Sequence, residues 1–264
     1  MVNISKIGRI FYGIAIAEIG LQTIYYKDFP YMLLPPNHTA IPGLAIIAII
    51  FGLLLALAGV CIIFEKIPGL ISLLLGGVLL LIFCFYFVPY ELIATSDYMH
   101  LTEWENAEKE LALAGGALVI AGCFPVQNEN SVTRFLGKLI PLGAILFVIP
   151  IISFGILHFM YGPDVASMVP SWIPYHLFWI YFAGAALIGS GVAIVLKIKV
   201  GLFAFLLGLM IFLWVILLHI PLVVAAAPAD MGDQITSAII ALAYSGVAFV
   251  IAGVANKKTS VTAA

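Results

Sequence analysis

The sequence predicts an all-α integral membrane protein with eight transmembrane helices. They should form two parallel four-helix bundles, related by a pseudo-two-fold axis along the membrane normal. Of the 264 residues, 64% are hydrophobic and 9% are charged, which is too little charge to cover the surface of a soluble domain. Apolar runs near membrane-spanning length recur along the whole chain. The two halves of the chain also share a pattern of glycines and prolines.

Eight apolar runs define the predicted helices, with loops that are richer in proline and charge between them. The first run follows a basic N-terminus and has no small-residue cleavage site, so we expect a retained helix and not a signal peptide. The predicted spans are residues 7–26, 44–64, 69–88, 104–124, 137–161, 177–197, 201–221 and 237–255.

The lysines and arginines predict the orientation of the chain. Nine of them lie at the end of the helices shared by both termini, and only Lys27 and Lys109 lie at the other end. By the positive-inside rule, we expect a multi-pass protein of the cell membrane with both termini in the cytoplasm. The net charge of −2 argues against nucleic acid as a partner. The nine residues are Lys6, Arg9, Lys66, Arg134, Lys138, Lys197, Lys199, Lys257 and Lys258.

An internal repeat predicts the domain organisation. Residues 51–77 align without gaps to residues 183–209, and further matches occur in order across all four helices of each half. We therefore expect a tandem duplication, with an N-terminal repeat (1–124), a cytoplasmic linker (125–136) and a C-terminal repeat (137–264). An even number of helices in each half makes the repeat parallel. The matched pairs include Gly52 and Gly184, Gly59 and Gly191, Gly69 and Gly201, Gly76 and Gly208, Pro89 and Pro221, Gly20 and Gly155, Tyr26 and Tyr161, and Pro35 and Pro170.

The C-terminal half resembles a known family. The stretch "GILHFMYGPDVASMVPSWIP", followed by "YFAGAALIGSGVAIVL", is similar to the DoxX-like family of small four-helix membrane proteins. In that family a first helix ends in His-Phe, a loop with proline and tryptophan follows, and a glycine-rich helix comes next. The resemblance covers residues 140–255 and implies a four-helix bundle per half. For some members it implies association with membrane redox complexes that act on thiosulfate or quinones. Many relatives carry an acidic residue near Ala186 that this chain lacks.

Histidines and aromatic residues near the outer end of the C-terminal half form the main candidate site. Polar groups inside a membrane are costly to bury, which makes them candidates for function. The helix directions place His158 and His219 at one depth, and we expect both to line a cavity open to the outer face. A neutral imidazole there could hydrogen-bond a quinone or another lipophilic carbonyl. The alternative is that these side chains only favour the membrane interface. The remaining predicted ligand-binding residues are Tyr161, His176, Trp179 and Tyr181.

A second group of polar residues lies in the first helix. Glu18 and Gln22 are spaced i, i+4 and therefore share one helix face, which we expect to contact a neighbouring helix. The alternative to a functional role is an interhelical hydrogen bond that holds the bundle together. The halves have diverged here, because Glu18 aligns with Ser153 and His158 aligns with Thr23.

Three functions are consistent with this sequence. The first is a redox-associated membrane subunit that binds a quinone or another lipophilic ligand but has no redox centre, cofactor or metal of its own. The second is a non-enzymatic scaffold or assembly factor, since the chain has no nucleotide motif, metal signature or paired catalytic carboxylates. The third is a small-solute or proton carrier. Enzymatic activity, protein partners and oligomeric state are left open by the sequence.

Overall fold

A computed structural model describes residues 3–35, 42–95, 99–126 and 130–262, with side chains up to residue 256. The described residues form helices and turns and contain no β-strand. Seven of the helical segments within these ranges are long and apolar enough to cross a membrane. These segments agree with the prediction of an all-helical, multi-pass protein in contact with a lipid bilayer.

Ten helices are numbered here in chain order, each with the bounds that the structure gives it. Two of them, α5 and α7, are short surface helices that precede or follow a long one. The ten are α1 (Ile4–Tyr26), α2 (Leu44–Ile63), α3 (Pro68–Ile93), α4 (Glu105–Ala121), α5 (Ser131–Gly137), α6 (Gly143–Met160), α7 (Gly162–Ala166), α8 (His176–Val195), α9 (Val200–Ala225) and α10 (Met231–Thr262).

The predicted fourth span, residues 104–124, corresponds to α4, which is shorter and more polar than the seven apolar segments. It has 17 residues, and its first turn carries Glu105 and Glu108. Every residue from Glu110 to Leu118 is buried inside the protein. A helix whose faces all contact protein does not need the long apolar stretch of a lipid-facing helix.

The predicted linker, residues 125–136, is not simply a loop, because α5 begins within it. The side chain of Asn130 accepts hydrogen bonds from the backbone N–H groups of Val132 and Thr133, both at 2.9 Å. Thr133 in turn accepts from the N–H of Asn130, which completes a capping box. A 3₁₀ turn (Ile140–Leu142) then leads into α6.

Both α3 and α9 contain one π-helical turn, at Phe83–Phe87 and at Val215–His219. A proline, Pro89 or Pro221, follows two residues after each turn. Proline lacks an N–H group and its ring crowds the carbonyl of the preceding turn. One wider turn accommodates this defect without breaking the helix. The two π turns occupy aligned positions in the two halves of the sequence.

Glycines set the closest approaches between helices. A Cβ atom on Gly8 of α1 or on Gly246 of α10 would collide with the backbone of the other glycine. A Cβ atom on Gly115 of α4 would likewise collide with the backbone at Phe147 of α6, and one on Gly143 would meet the carbonyl of Gly115. Small residues at these crossings allow the close backbone contact on which helix packing in membranes depends.

The helix contacts join the two halves of the chain to each other. Within the first half α1 packs on α2 and α3 packs on α4, and within the second half α6 packs on α8 and α9 packs on α10. However, α1 also packs extensively on α10, and α4 packs on α6. The first helix of each half is therefore bound to the last helix of the other half, and the halves interlock.

Candidate functional site

The second half contains a large apolar cavity between α8 and α9. Its volume is about 830 Å³, and residues 165–174, in and after α7, cover one end of it. Along α8 the lining includes Ala183, Ala186 and Gly189, which are spaced three residues apart and share one helix face. These small side chains, together with the limited contact between α8 and α9, leave the space open.

Aromatic and aliphatic side chains form most of the cavity wall. The polar side chains in the wall, besides the indoles, are His158 and Ser190. The indole N–H of Trp179 donates to the carbonyl of Pro174 at 3.1 Å and is thereby satisfied within the protein. Other lining residues are Trp172, Phe182, Phe203, Met210, Leu213, Trp214 and Leu217.

Two contacts determine the tautomer and the orientation of the His158 imidazole. Its Nδ1 lies 2.7 Å from the carbonyl oxygen of Phe154, one turn earlier in α6. A carbonyl oxygen only accepts hydrogen bonds, so Nδ1 carries a proton and donates it. The imidazole ring also stacks on Trp214 of α9, with ring centroids 5.9 Å apart and planes inclined by 17°. In its neutral form the ring therefore presents Nε2 as an acceptor.

The same backbone bond occurs at the aligned position of the first half. Thr23 aligns with His158, and its hydroxyl donates to the carbonyl of Ile19 at 2.7 Å. Thr23 is fully buried, whereas His158 is half-buried and borders the cavity. Both side chains thus bond to the carbonyl one turn earlier in the helix, but only His158 has a second polar atom, Nε2, that takes no part in this bond.

The structure brings together only part of the predicted histidine–aromatic site. His158 and Trp179 both line the cavity between α8 and α9. His176 instead lines a separate surface pocket formed by Ser171 and residues 173–178. His219 ends the π turn of α9, where its Nδ1 is buried and has no hydrogen-bond partner in the described part of the chain. The shared pocket of His158 and His219 stays a prediction.

The two predicted tyrosines, Tyr161 and Tyr181, do not line the cavity. Tyr161 is at the junction of α6 and α7, where its N–H donates to the carbonyl of Leu157 at 2.8 Å. Tyr181 stacks on Phe159 at 5.5 Å and packs against Gly162. The aromatic wall includes Trp214, which the sequence pattern did not indicate because the segment Val200–Trp214 is apolar on all sides.

Gln22 forms an interhelical bridge. Its Nε2 donates to the carbonyl of Gly232 at 2.7 Å, and its Oε1 accepts from the hydroxyl of Thr236 at 2.7 Å. These bonds join α1 to α10. They are interhelical hydrogen bonds, which were the alternative to a functional role for Glu18 and Gln22. Glu18 is half-buried, and its Oε2 has no hydrogen-bond partner among the described residues.

Glu110 is a buried polar residue that is not among the predicted site residues. Its side chain is completely buried in α4, and neither carboxyl oxygen has a hydrogen-bond partner within the described ranges. Nearby, the hydroxyl of Tyr12 donates to the carbonyl of Leu113 at 2.7 Å. The sequence feature that indicates burial of Glu110 is its position inside the predicted span, about two turns from the nearest end.

Metal binding receives no support from the described part of the chain, where no three His, Cys, Asp or Glu side chains lie close enough to hold an ion. No protein-family model, no curated protein and no solved structure matches the chain. The resemblance to the DoxX-like family therefore stays a prediction that rests on the residues quoted above.

Proposed function

We propose that this protein binds a lipophilic ligand with a hydroxyl head group, such as a quinol, in the cavity between α8 and α9. It would serve a membrane redox complex without a redox centre of its own, as the DoxX-like resemblance implies. The observation that carries the proposal is His158, the fixed imidazole in the wall of a largely apolar cavity.

The size and lining of the cavity suit such a ligand. Small-molecule sites usually enclose about 300–1,000 Å³, are mostly apolar and hold a few polar groups that orient the ligand. Here the volume is about 830 Å³. Trp172, in the loop after α7, and Trp179 and Phe182 of α8 are exposed at the surface of the protein. A lipophile could therefore enter from the bilayer between α8 and α9 without passing through water.

The tautomer of His158 determines which head group is preferred. Since Nδ1 donates to Phe154, a neutral ring offers only the acceptor Nε2 to a ligand. A hydroxyl can donate to that nitrogen, whereas a carbonyl would face it lone pair to lone pair. This changes the expectation from a quinone carbonyl to the hydroxyl of the reduced form, and the stack on Trp214 holds the ring in one orientation.

We expect the purified protein to bind a short-chain benzoquinol about five-fold or more tightly than the matching benzoquinone. One net hydrogen bond contributes about 1 kcal/mol, which corresponds to roughly a five-fold difference in affinity. His158→Leu should remove this preference while retaining the fold, since leucine suits the apolar surroundings. Calorimetric titration in detergent measures both affinities, and thermal unfolding checks the fold.

His176→Leu is the matched control, because this histidine lies in the same outer region but lines a different pocket. It should keep the quinol preference of the wild-type protein. Equal or tighter binding of the benzoquinone to the wild-type protein would contradict the proposed role of His158.

We also propose that α4 is an eighth membrane-spanning helix and that the halves are related by a pseudo-two-fold axis along the membrane normal, with both termini cytoplasmic. Matching features at aligned positions support the duplication. They are the starts of α2 and α8 at Leu44 and His176, the π turns at Phe83–Phe87 and Val215–His219, and the left-handed residues Gly43 and Tyr175, Glu65 and Lys197, and Ile67 and Lys199. The C-terminal residue Ala264 lies outside the described residues.

Cysteine labelling decides whether α4 spans the membrane. In a chain whose native cysteines are replaced by alanine, a membrane-impermeant maleimide should label Glu103→Cys in intact cells. It should label Ser131→Cys only after the cells are permeabilised, because the two positions flank α4. Labelling of both positions from the same side would mean that α4 does not span.

A second candidate function is a proton carrier, and Glu110 favours it. A buried carboxyl group without a partner among the described residues is costly, and such groups in membrane proteins often belong to proton relays. Tyr12 of α1, Tyr244 of α10 and Glu108 lie near this region of α4.

Proteoliposomes with an imposed pH gradient test this second candidate. If the protein carries protons, Glu110→Gln should slow the collapse of the gradient at least about ten-fold, as loss of an essential acid or base does. Glu105→Gln is the control, since Glu105 pairs with Lys109 at 2.6 Å and is not fully buried. Wild-type proteoliposomes that leak no faster than empty liposomes would rule the carrier out.

A further inference from the structure

In the first half, the buried side chain of Arg9 fills the space at the C-terminal end of α2. The guanidinium of Arg9 donates to the last carbonyls of α2, at Ile62 and at Ile63, the latter at 2.8 Å. It also pairs with Glu65 at 2.6 Å and lies over the ring of Phe124 at 5.9 Å. A cation at a helix C-terminus satisfies carbonyls that have no partner in the helix.

The second half lacks an arginine at the corresponding position. In the register that aligns Gly20 with Gly155, Arg9 aligns with Ala144. The methyl group of Ala144 cannot reach the end of α8, and a cavity of about 820 Å³ lies there instead. The cavity is bordered by the C-terminal end of α4 and by parts of α6, α8, α9 and α10, with Ala144 in its lining.

The charges around this cavity also differ from those in the first half. Lys197 aligns with Glu65, and Lys199 aligns with Ile67. Both lysines line the cavity and are exposed, and neither forms an ion pair in the described part of the chain. The first half thus holds a neutralised pair, whereas the second half presents two positive charges beside an open space.

The backbone fixes where these two lysines stand. Lys197 and Lys199 both have positive φ angles, 58° and 40°, as do Glu65 and Ile67 at the aligned positions, 56° and 45°. Each half therefore makes the same tight turn between its second and third long helices. The turn places both lysines at one edge of the cavity, while apolar residues such as Val119, Ile140 and Leu202 form much of the remaining wall.

We propose that this cavity binds an anionic phospholipid of the bilayer, with its phosphate near Lys197 and Lys199 and its acyl chains along the apolar wall. Charge complementarity and location support a lipid over a soluble anion. The site lies at the ends of the helices, where head groups lie, and basic pockets between membrane helices commonly hold acidic head groups. The proposal does not depend on the ligand of the other cavity.

Binding of dioleoyl phosphatidylglycerol to the delipidated protein, followed by native mass spectrometry, tests the proposal. We expect one tightly held lipid, and we expect phosphatidylcholine to bind more weakly. Each of Lys197→Ala and Lys199→Ala should weaken phosphatidylglycerol binding about five-fold, since a lysine near an acidic lipid surface contributes about 1 kcal/mol. Lys66→Ala, an exposed lysine in the corresponding turn of the first half, should leave binding unchanged.

A second variant tests the comparison between the halves. Ala144→Arg combined with Lys197→Glu should rebuild the arrangement of Arg9 and Glu65 and fill the cavity. We expect this double variant to unfold at or above the wild-type temperature and to lose phosphatidylglycerol binding. Full binding in the double variant, or in a variant lacking both lysines, would overturn the proposal. Displacement of the lipid by millimolar inorganic phosphate would also overturn it, because it would indicate a site for soluble anions.

Discussion

The close contact between the first helix of each half and the last helix of the other half is the constraint on which the rest of the structure depends. It is made at Gly8 with Gly246 and at Gly115 with Gly143, where a Cβ atom on any of the four would strike the facing backbone. Helices within a bilayer gain nothing from the hydrophobic effect when they associate, so close packing and hydrogen bonds must supply the stabilisation. These two crossings provide the packing, and Gln22 adds hydrogen bonds between α1 and α10.

The helices at the centre of the protein pack closely on each other, whereas α8 and α9 at the periphery are packed less closely. The central helix α4 is buried on all sides and can therefore carry Glu110, which a lipid-facing helix could not. At the periphery α8 and α9 contact each other less, and the space between them holds His158 and the aromatic wall. Both proposed ligand cavities lie in or border the second half. At the cavity that borders α4, Ala144, Lys197 and Lys199 occupy the positions that correspond to Arg9, Glu65 and Ile67 of the first half.

Hydropathy was enough to predict the helical class and most helix positions. Hydropathy and glycine spacing could not predict which helices pack together, because Gly8 and Gly143 would look the same in separate bundles and in interlocked halves. The tautomer of His158 depends on its distance from Phe154 and its stack on Trp214, which no sequence pattern contains. Glu110 was not among the predicted site residues, because its burial depends on the packing of α4 against the helices of the other half, which the sequence pattern does not contain.

Expression of the two halves as separate chains, residues 1–129 and 130–264, tests the interlocked core most directly. If α1 packs on α10 and α4 packs on α6, the co-expressed halves should co-purify as a stable one-to-one complex. Each half expressed alone should aggregate or pair with itself, because the closely packed helix would be missing from Gly8 and Gly115 in the first half and from Gly143 and Gly246 in the second. Recovery of each half as a stable, monodisperse monomer that does not bind the other would contradict the interlocked arrangement.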